Sequence, residues 1–309
     1  MDQAQQLRNI IKAGAFSYNR PLARVIAVTS GKGGVGKSNV AINLAIQFKK
    51  MGQRVIILDA DFGLANIEIM FGAVPQHNLC DLIYQGKNIK DIITWGPMEV
   101  GFISGGSGIA GLSNLSRDYL VHIIQNLKEL DSIADIIIVD TGAGISDAVL
   151  EFLVASGEIL LVTTPEPTSI TDSYSLLKAL NRHPRFSSET SQIKMIANKV
   201  EAKGEGQNLF NKLNAVVSLY LELPITYLGE IPEDVQLSKA VMQQMPGPNP
   251  ACRPSMLAPL RRQNLIPPPG RANRLAQISS SGRPCWRGQA PPRLLFMRKF
   301  INQPFSFTS

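Results

Sequence analysis

The residues with the most pointed chemistry are Gly31-Lys32-Gly33-Gly34-Val35-Gly36-Lys37-Ser38. Their spacing is GxxxxGK[ST], in which glycines let successive backbone N–H groups turn inward around phosphate oxygens. RVIAVT (24–29) before the run reads as a strand, and Asn39 to Met51 after it as a helix. The positive end of that helix's dipole then faces the same anion. Lys37 is placed to reach the β- and γ-phosphates, Ser38 to ligate Mg²⁺, and Asn39 to complete the cradle, so MgATP is the expected ligand. Carboxylates belong to such a site. Asp59 and Asp61 follow the apolar RVIIL, and Asp140 follows DIIIV in VDTGAG. A carboxylate after a run of β-branched residues is the arrangement that holds Mg²⁺, usually through water. For Asp59 a turn-capping role is equally expected. Asn198, in IANKV, ends another apolar run, and its amide both donates and accepts, which suits an adenine edge.

The elements that position these residues alternate along the chain. Strands are expected at 24–29, 54–59, 99–104, 135–140, 158–163, 192–198 and 224–229. Helices are expected at 39–51, 116–130, 146–155, 169–181 and 205–221. Strands apolar on both faces, alternating with helices, form a mostly parallel twisted sheet covered on both sides. The fold class is therefore α/β, a P-loop NTPase, with ligands at the carboxyl ends of the strands. His77, His122 and His183 have no partner spacing, and His122, in YLVHII, is expected to pack. The SGGSG run (104–108) reads as a turn or as lining for the site.

Composition divides the chain. Residues 246–309 hold twelve of the twenty prolines, nine arginines, one lysine and no acid. The formal +7 is thus +10 in this tail and −3 in residues 1–245, so the basic balance does not argue for a nucleic-acid partner. Cys80 is the one cysteine before Cys252 and Cys285, a usage that fits a reducing cytoplasm. No stretch has the roughly 20 apolar residues of a spanning helix, and the N-terminus has no apolar leader run. Three divisions are expected: 1–20 as an N-terminal helix and linker, 21–245 as the ATPase domain, and 246–309 as a Pro/Arg-rich tail.

The run KGGVGKS resembles the deviant phosphate loop of the MinD/ParA ATPases. That resemblance implies that Lys32 reaches across an ATP-bound homodimer to the partner's nucleotide, as arginine fingers do. It also implies that Asp61 positions the attacking water and Asp140 is the magnesium carboxylate. Gly142 and Gly144 would let the following backbone approach the γ-phosphate, and Asn198 would read the base. DQAQQLR (2–8), DADFGLANIEIMFG (59–72) and DTGAGIS (140–146) are similar to the FlhG (YlxH) branch, the MinD-like regulators of flagellar number and placement, over residues 1–245. In that branch the N-terminal helix activates the flagellar GTPase FlhF, which assigns partner contacts to Asp2, Gln3, Ala4, Leu7 and Arg8, with Gln3 completing the GTPase site. The other expected partners are the flagellar C-ring switch proteins and an anionic membrane, with peripheral attachment to the inner face of the cell membrane. A MinD-type division-site regulator or a ParA-type partition ATPase is the alternative. After Met245 the resemblance stops. The segment reads as a shifted reading frame or as a native basic tail. RLLFMRKFI (293–301) then has one apolar face, similar to the membrane-targeting helix of MinD-like ATPases, which extends over 293–303.

Overall fold

The computed structural model describes residues 22–62, 66–106 and 115–234. The N-terminal helix and linker expected over 1–20, the Pro/Arg-rich tail and the amphipathic segment 293–303 lie outside them. The elements in chain order are β1 (Arg24–Ser30), α1 (Lys37–Lys50), β2 (Val55–Ala60), α2 (Asn66–Phe71), α3 (Leu79–Gln85), β3 (Thr94–Trp95), β4 (Gly101–Ile103), α4 (Arg117–Asn126), β5 (Ile136–Ala143), α5 (Asp147–Ala155), β6 (Glu158–Thr163), α6 (Pro167–Asn181), β7 (Gln192–Val200), α7 (Glu205–Leu221) and β8 (Ile225–Pro232). The sheet order is β3-β4-β2-β5-β1-β6-β7-β8, and every pairing is parallel except β3 with β4.

Alternation along the central strands separates two cores. Ala27, Ile56, Leu58, Ile137 and Val139 face one side, where α3 through α7 pack. Ile26, Val28, Val55, Ile57, Ile136 and Ile138 face the other, where α1 and α2 pack. Each of the Val, Leu and Ile side chains among them, once fully buried, contributes about 1.5–3 kcal/mol. The same alternation sends Asp59 and Asp140, which are register partners, toward α1. The sequence thus aims two carboxylates at the helix that follows the glycine loop.

At the opposite end of the sheet the strands begin in ion pairs. Glu158 accepts from Arg24 at 2.8 Å and from Lys194 at 2.6 Å, joining the starts of β1, β6 and β7. Burial raises the Glu158 pKa, but the hydrogen bonds and charges of Arg24 and Lys194 outweigh it and hold it at about 2. Arg54 and Asp135 pair at 2.7 Å before β2 and β5.

Several elements differ from the expected ones. Helices α2 and α3 and the two-residue β3 were not anticipated. α3 carries a capping box at Asn78 and Asp81 and ends on left-handed Gly86. The helix expected over 116–130 leaves α-geometry after Asn126 and continues as a 3₁₀ segment to Ser132. His122 is exposed rather than packed, because the stripe that faces the core is Leu120, Ile123 and Leu127. Among the described residues no helix is long and apolar enough to cross a membrane.

Candidate functional site

The glycine run leaves β1 and enters α1, as its spacing requires. Gly36 is the residue before the helix and adopts φ 94, ψ 23, a left-handed conformation that favours glycine. A Cβ there would also stand 2.5 Å from the Asn198 amide nitrogen. Gly31 is equally constrained, since its Cβ would meet the Asp172 carbonyl carbon at 2.1 Å, seating the loop directly on α6. Val35 is buried and Gly33 and Gly34 are exposed. Lys37, Ser38 and Asn39 form the first turn of α1, with Lys37 only 7% exposed. Burial lowers the Lys37 pKa, while the charges of Asp140 and Asp61 pull it the other way. The Oδ1 atom of Asn39 is buried without a hydrogen-bond partner.

Asp140 is fully buried, and neither of its oxygens meets a donor in hydrogen-bonding geometry. Burial pushes its pKa up to about 7, opposed by the nearby Ser38 hydroxyl and by Lys37. A buried, unsatisfied carboxylate beside a hydroxyl is costly unless a ligand completes it. These are hard oxygen donors and fit a magnesium ion. Asp61 is half-buried, takes a hydrogen bond from Asn66 Nδ2 at 3.3 Å, and lies against Gly142, where a Cβ would stand 3.2 Å from its Oδ1. Burial raises the Asp61 pKa and Lys37 lowers it.

Asp59 does something different. Its carboxylate accepts from the backbone N–H groups of Asp61 at 3.2 Å and Ile67 at 3.1 Å, so it ties the two ends of this segment together. Burial and then the Asp140 charge raise its pKa to about 7. This is the turn-capping role. Among the described residues no three His, Cys, Asp or Glu side chains form a metal-holding group, although Asp59, Asp61 and Asp140 lie close enough for their charges to act on one another. Of the SGGSG run, Ser104 and Gly106 bond to each other and Ser104 to Glu68, while Gly105 packs on the Asp59 carbonyl. Gly144 has φ 89, and its N–H is donated to the Ser30 carbonyl at 3.0 Å.

Lys32 is held within its own chain. Its Nζ bonds the Glu166 carboxylate and the Thr168 hydroxyl, the latter at 2.8 Å, at the start of α6. The hydrogen bond and charge of Lys32 lower the Glu166 pKa. Asn198 donates through Nδ2 to the Val35 carbonyl at 2.7 Å, leaving its Oδ1 as the free acceptor. Glu166, Thr168 and Lys199, which also bonds the loop, went unnoticed in the sequence. Glu166 stands in TPEPT directly after a strand, but nothing in the spacing points it at Lys32. The residues Asp2, Gln3, Ala4, Leu7 and Arg8 lie outside the described part.

A phosphate loop, a lysine and serine on the first helical turn, and two carboxylates at neighbouring strand ends define a P-loop nucleotide hydrolase. Residues 21–249 match the ParA family, described as NUBPL iron-transfer P-loop NTPase. The antiactivator FleN of Pseudomonas aeruginosa is 41% identical over 221 residues, 72% of this chain and 78% of FleN. The flagellum site-determining protein YlxH of Helicobacter pylori is 35% identical over 239 residues, 77% of this chain and 79% of YlxH. Two solved structures share the fold. MinD in the MinC:MinD complex of Aquifex aeolicus has TM-score 0.61 at 21% identity, covering 86% of this chain and 99% of that one. MinD of Pyrococcus horikoshii, complexed with Mg-ADP, has TM-score 0.59 at 20% identity, covering 84% and 98%. The chain belongs to the MinD/ParA family of P-loop ATPases, in its FlhG-like branch.

Proposed function

We propose that this chain is an ATP-driven, dimerising switch that sets flagellar number and placement. The observation that carries the reading is Lys32. Lys37, Ser38 and the loop backbone would form the phosphate cradle of its own chain without it, and its amine is held by Glu166 and Thr168. A cation parked at the rim of a nucleotide site is suited to act on a second copy's nucleotide. The flagellar assignment rests on likeness to proteins named as the antiactivator FleN and the flagellum site-determining protein YlxH. Ser38 and Asp140 would hold Mg²⁺ with ATP, the ion neutralising phosphate charge when bound. Lys37 would contact the phosphates, Asn198 Oδ1 the base, and Asp61 would orient water. Iron carriage is not part of this reading, since Cys80 is the one cysteine before residue 252.

The remaining parts of the proposal concern partners. In the expected N-terminal helix the sequence spaces Ala4, Leu7, Ile10 and Ile11 as one apolar stripe, which would dock on the flagellar GTPase with Gln3 toward its nucleotide, and the C-ring switch proteins would receive the output. Residues 293–303 would attach the dimer to an anionic membrane, two weak helices gaining by effective concentration. No direct nucleic-acid contact is included. The test is Lys32→Ala, assayed for nucleotide binding, for dimer formation by light scattering, and for turnover with liposomes, DNA or the GTPase added. ATP should still bind, while ATP-dependent dimerisation and turnover should be lost. A variant that dimerises and turns over normally would remove the basis of the reading. Stimulation by DNA alone would favour the partition-type alternative.

A further inference from the structure

Strand β7 breaks the rule that successive side chains point to opposite faces. Its register with β8 shifts between Asn198 and Val200, and Lys199 adopts φ 56. Left-handed backbone is disfavoured for a residue that carries a Cβ, so the fold bears a cost at this position. The result is that two consecutive side chains turn to one target. Asn198 Nδ2 donates to the Val35 carbonyl at 2.7 Å, and Lys199 Nζ donates to the Gly34 carbonyl at 2.8 Å.

The geometry points to Lys199 as a positioning residue for phosphate binding. In a planar trans peptide the C=O and the following N–H point in opposite directions. Holding the Gly34 carbonyl outward therefore aims the Val35 N–H inward, and holding the Val35 carbonyl outward does the same for the Gly36 N–H. Neither N–H is engaged elsewhere among the described residues. Both are the kind of donor that a phosphate-binding loop must present. Asn198 supplies one half of this clamp and is also the expected base contact. Lys199 supplies the other half through an ammonium, whose hydrogen bond to a carbonyl is stronger than a neutral one. The pair is seated closely, since Gly36 has no room for a Cβ beneath the Asn198 amide. Lys199 also helps lower the Glu166 pKa, placing its charge at the same rim as Lys32.

Three variants of the full chain separate the amine from the backbone that carries it. Lys199→Met keeps the stem and removes the donor. Lys199→Gly relieves the left-handed strain and also removes the donor. Lys199→Arg replaces one cationic donor with another. The readouts are the Kd of a fluorescent ADP with Mg²⁺, KM and kcat for ATP, and the thermal midpoint without nucleotide. With the donor gone, Kd and KM should rise about tenfold, the scale of one lost charge-assisted hydrogen bond. The kcat should stay within about twofold, because the loop is loosened in substrate and transition-state complexes alike. Lys199→Gly should show the same affinity loss while unfolding at no lower temperature than the parent, and Lys199→Arg should recover most of the affinity. If Lys199→Met binds MgADP within twofold of the parent, the assignment is wrong. It is equally wrong if Lys199→Gly keeps the affinity that Lys199→Met loses, since the side chain's hydrogen bond would then carry nothing.

Discussion

Replacing Glu158 by Gln tests whether the foot of the sheet is stapled independently of the nucleotide site. Arg24, Glu158 and Lys194 are 31%, 19% and 19% exposed, so the cluster is largely shielded from solvent screening. The Glu158 carboxyl lies at about 2 instead of 4.5. That displacement of roughly 2.5 in pKa, at about 1.36 kcal/mol for each, amounts to about 3 kcal/mol. Because the folded pKa is the lower one, this stability is fully present above pH 4.5 and is lost as the pH falls towards about 2. At pH 7 the Glu158→Gln protein should therefore be less stable by about 2–4 kcal/mol, since Arg24 and Lys194 are also left facing one another. Urea unfolding of both proteins at pH 7, 5, 4 and 3 measures the gap, which should hold down to pH 5 and narrow below it. Nucleotide affinity should not change, because the cluster sits at the amino ends of the strands. A gap under about 0.5 kcal/mol at pH 7, the median scale of a surface pair, would refute the reasoning. So would a gap that does not vary between pH 7 and pH 3.

Gly36→Ala would carry the cost of a left-handed alanine, about 1–2 kcal/mol, and displace the Asn198 amide from Val35, about 1 kcal/mol more. Nucleotide affinity should fall by at least about 30-fold by calorimetry, and retention within threefold would show that the loop relaxes freely. Asp61→Ala should bind MgATP and remain dimeric while turnover drops roughly 100-fold, the usual scale for a lost proton-handling side chain. Loss of binding would instead make Asp61 a structural ligand. A peptide of residues 1–20 should stimulate the flagellar GTPase and its Gln3→Ala form should not, and equal stimulation by both would leave Gln3 without a role there.

Much of the site was legible because it is local. Seven of the sheet's eight strands begin within two residues of their expected starts, β3 being the exception, and the phosphate loop lies between one such strand and a helix. What was missed depends on short or distant features. α3 has seven residues, too few for a helical period to stand out, although Asn78, Asp81 and Gly86 bracket it with cap chemistry. α1 begins at Lys37 and α6 at Pro167, each two residues before the apolar pattern, because a left-handed Gly36 and a proline set those starts. The Lys32 contact with Glu166 joins residues 134 apart, and no spacing rule reaches that far. Lys199 was hidden for another reason. Strand alternation assigns it to the face away from Asn198, and only the register shift and φ 56 overturn that.

The two ends of the parallel strands are finished in opposite ways. At the amino ends, carboxylates at Glu158 and Asp135 are met by Arg24, Lys194 and Arg54. At the carboxyl ends, Asp140 is buried with neither oxygen hydrogen-bonded. Amide hydrogen exchange should register this asymmetry along single strands. Amides near residues 24–26 and 136–138 should exchange only when the whole domain unfolds, whereas those near 140–144, farther along β5, should exchange through smaller openings. Nucleotide would then slow the second set and leave the first unchanged, so that one strand carries both the domain's permanent rigidity and the part of it supplied by ligand.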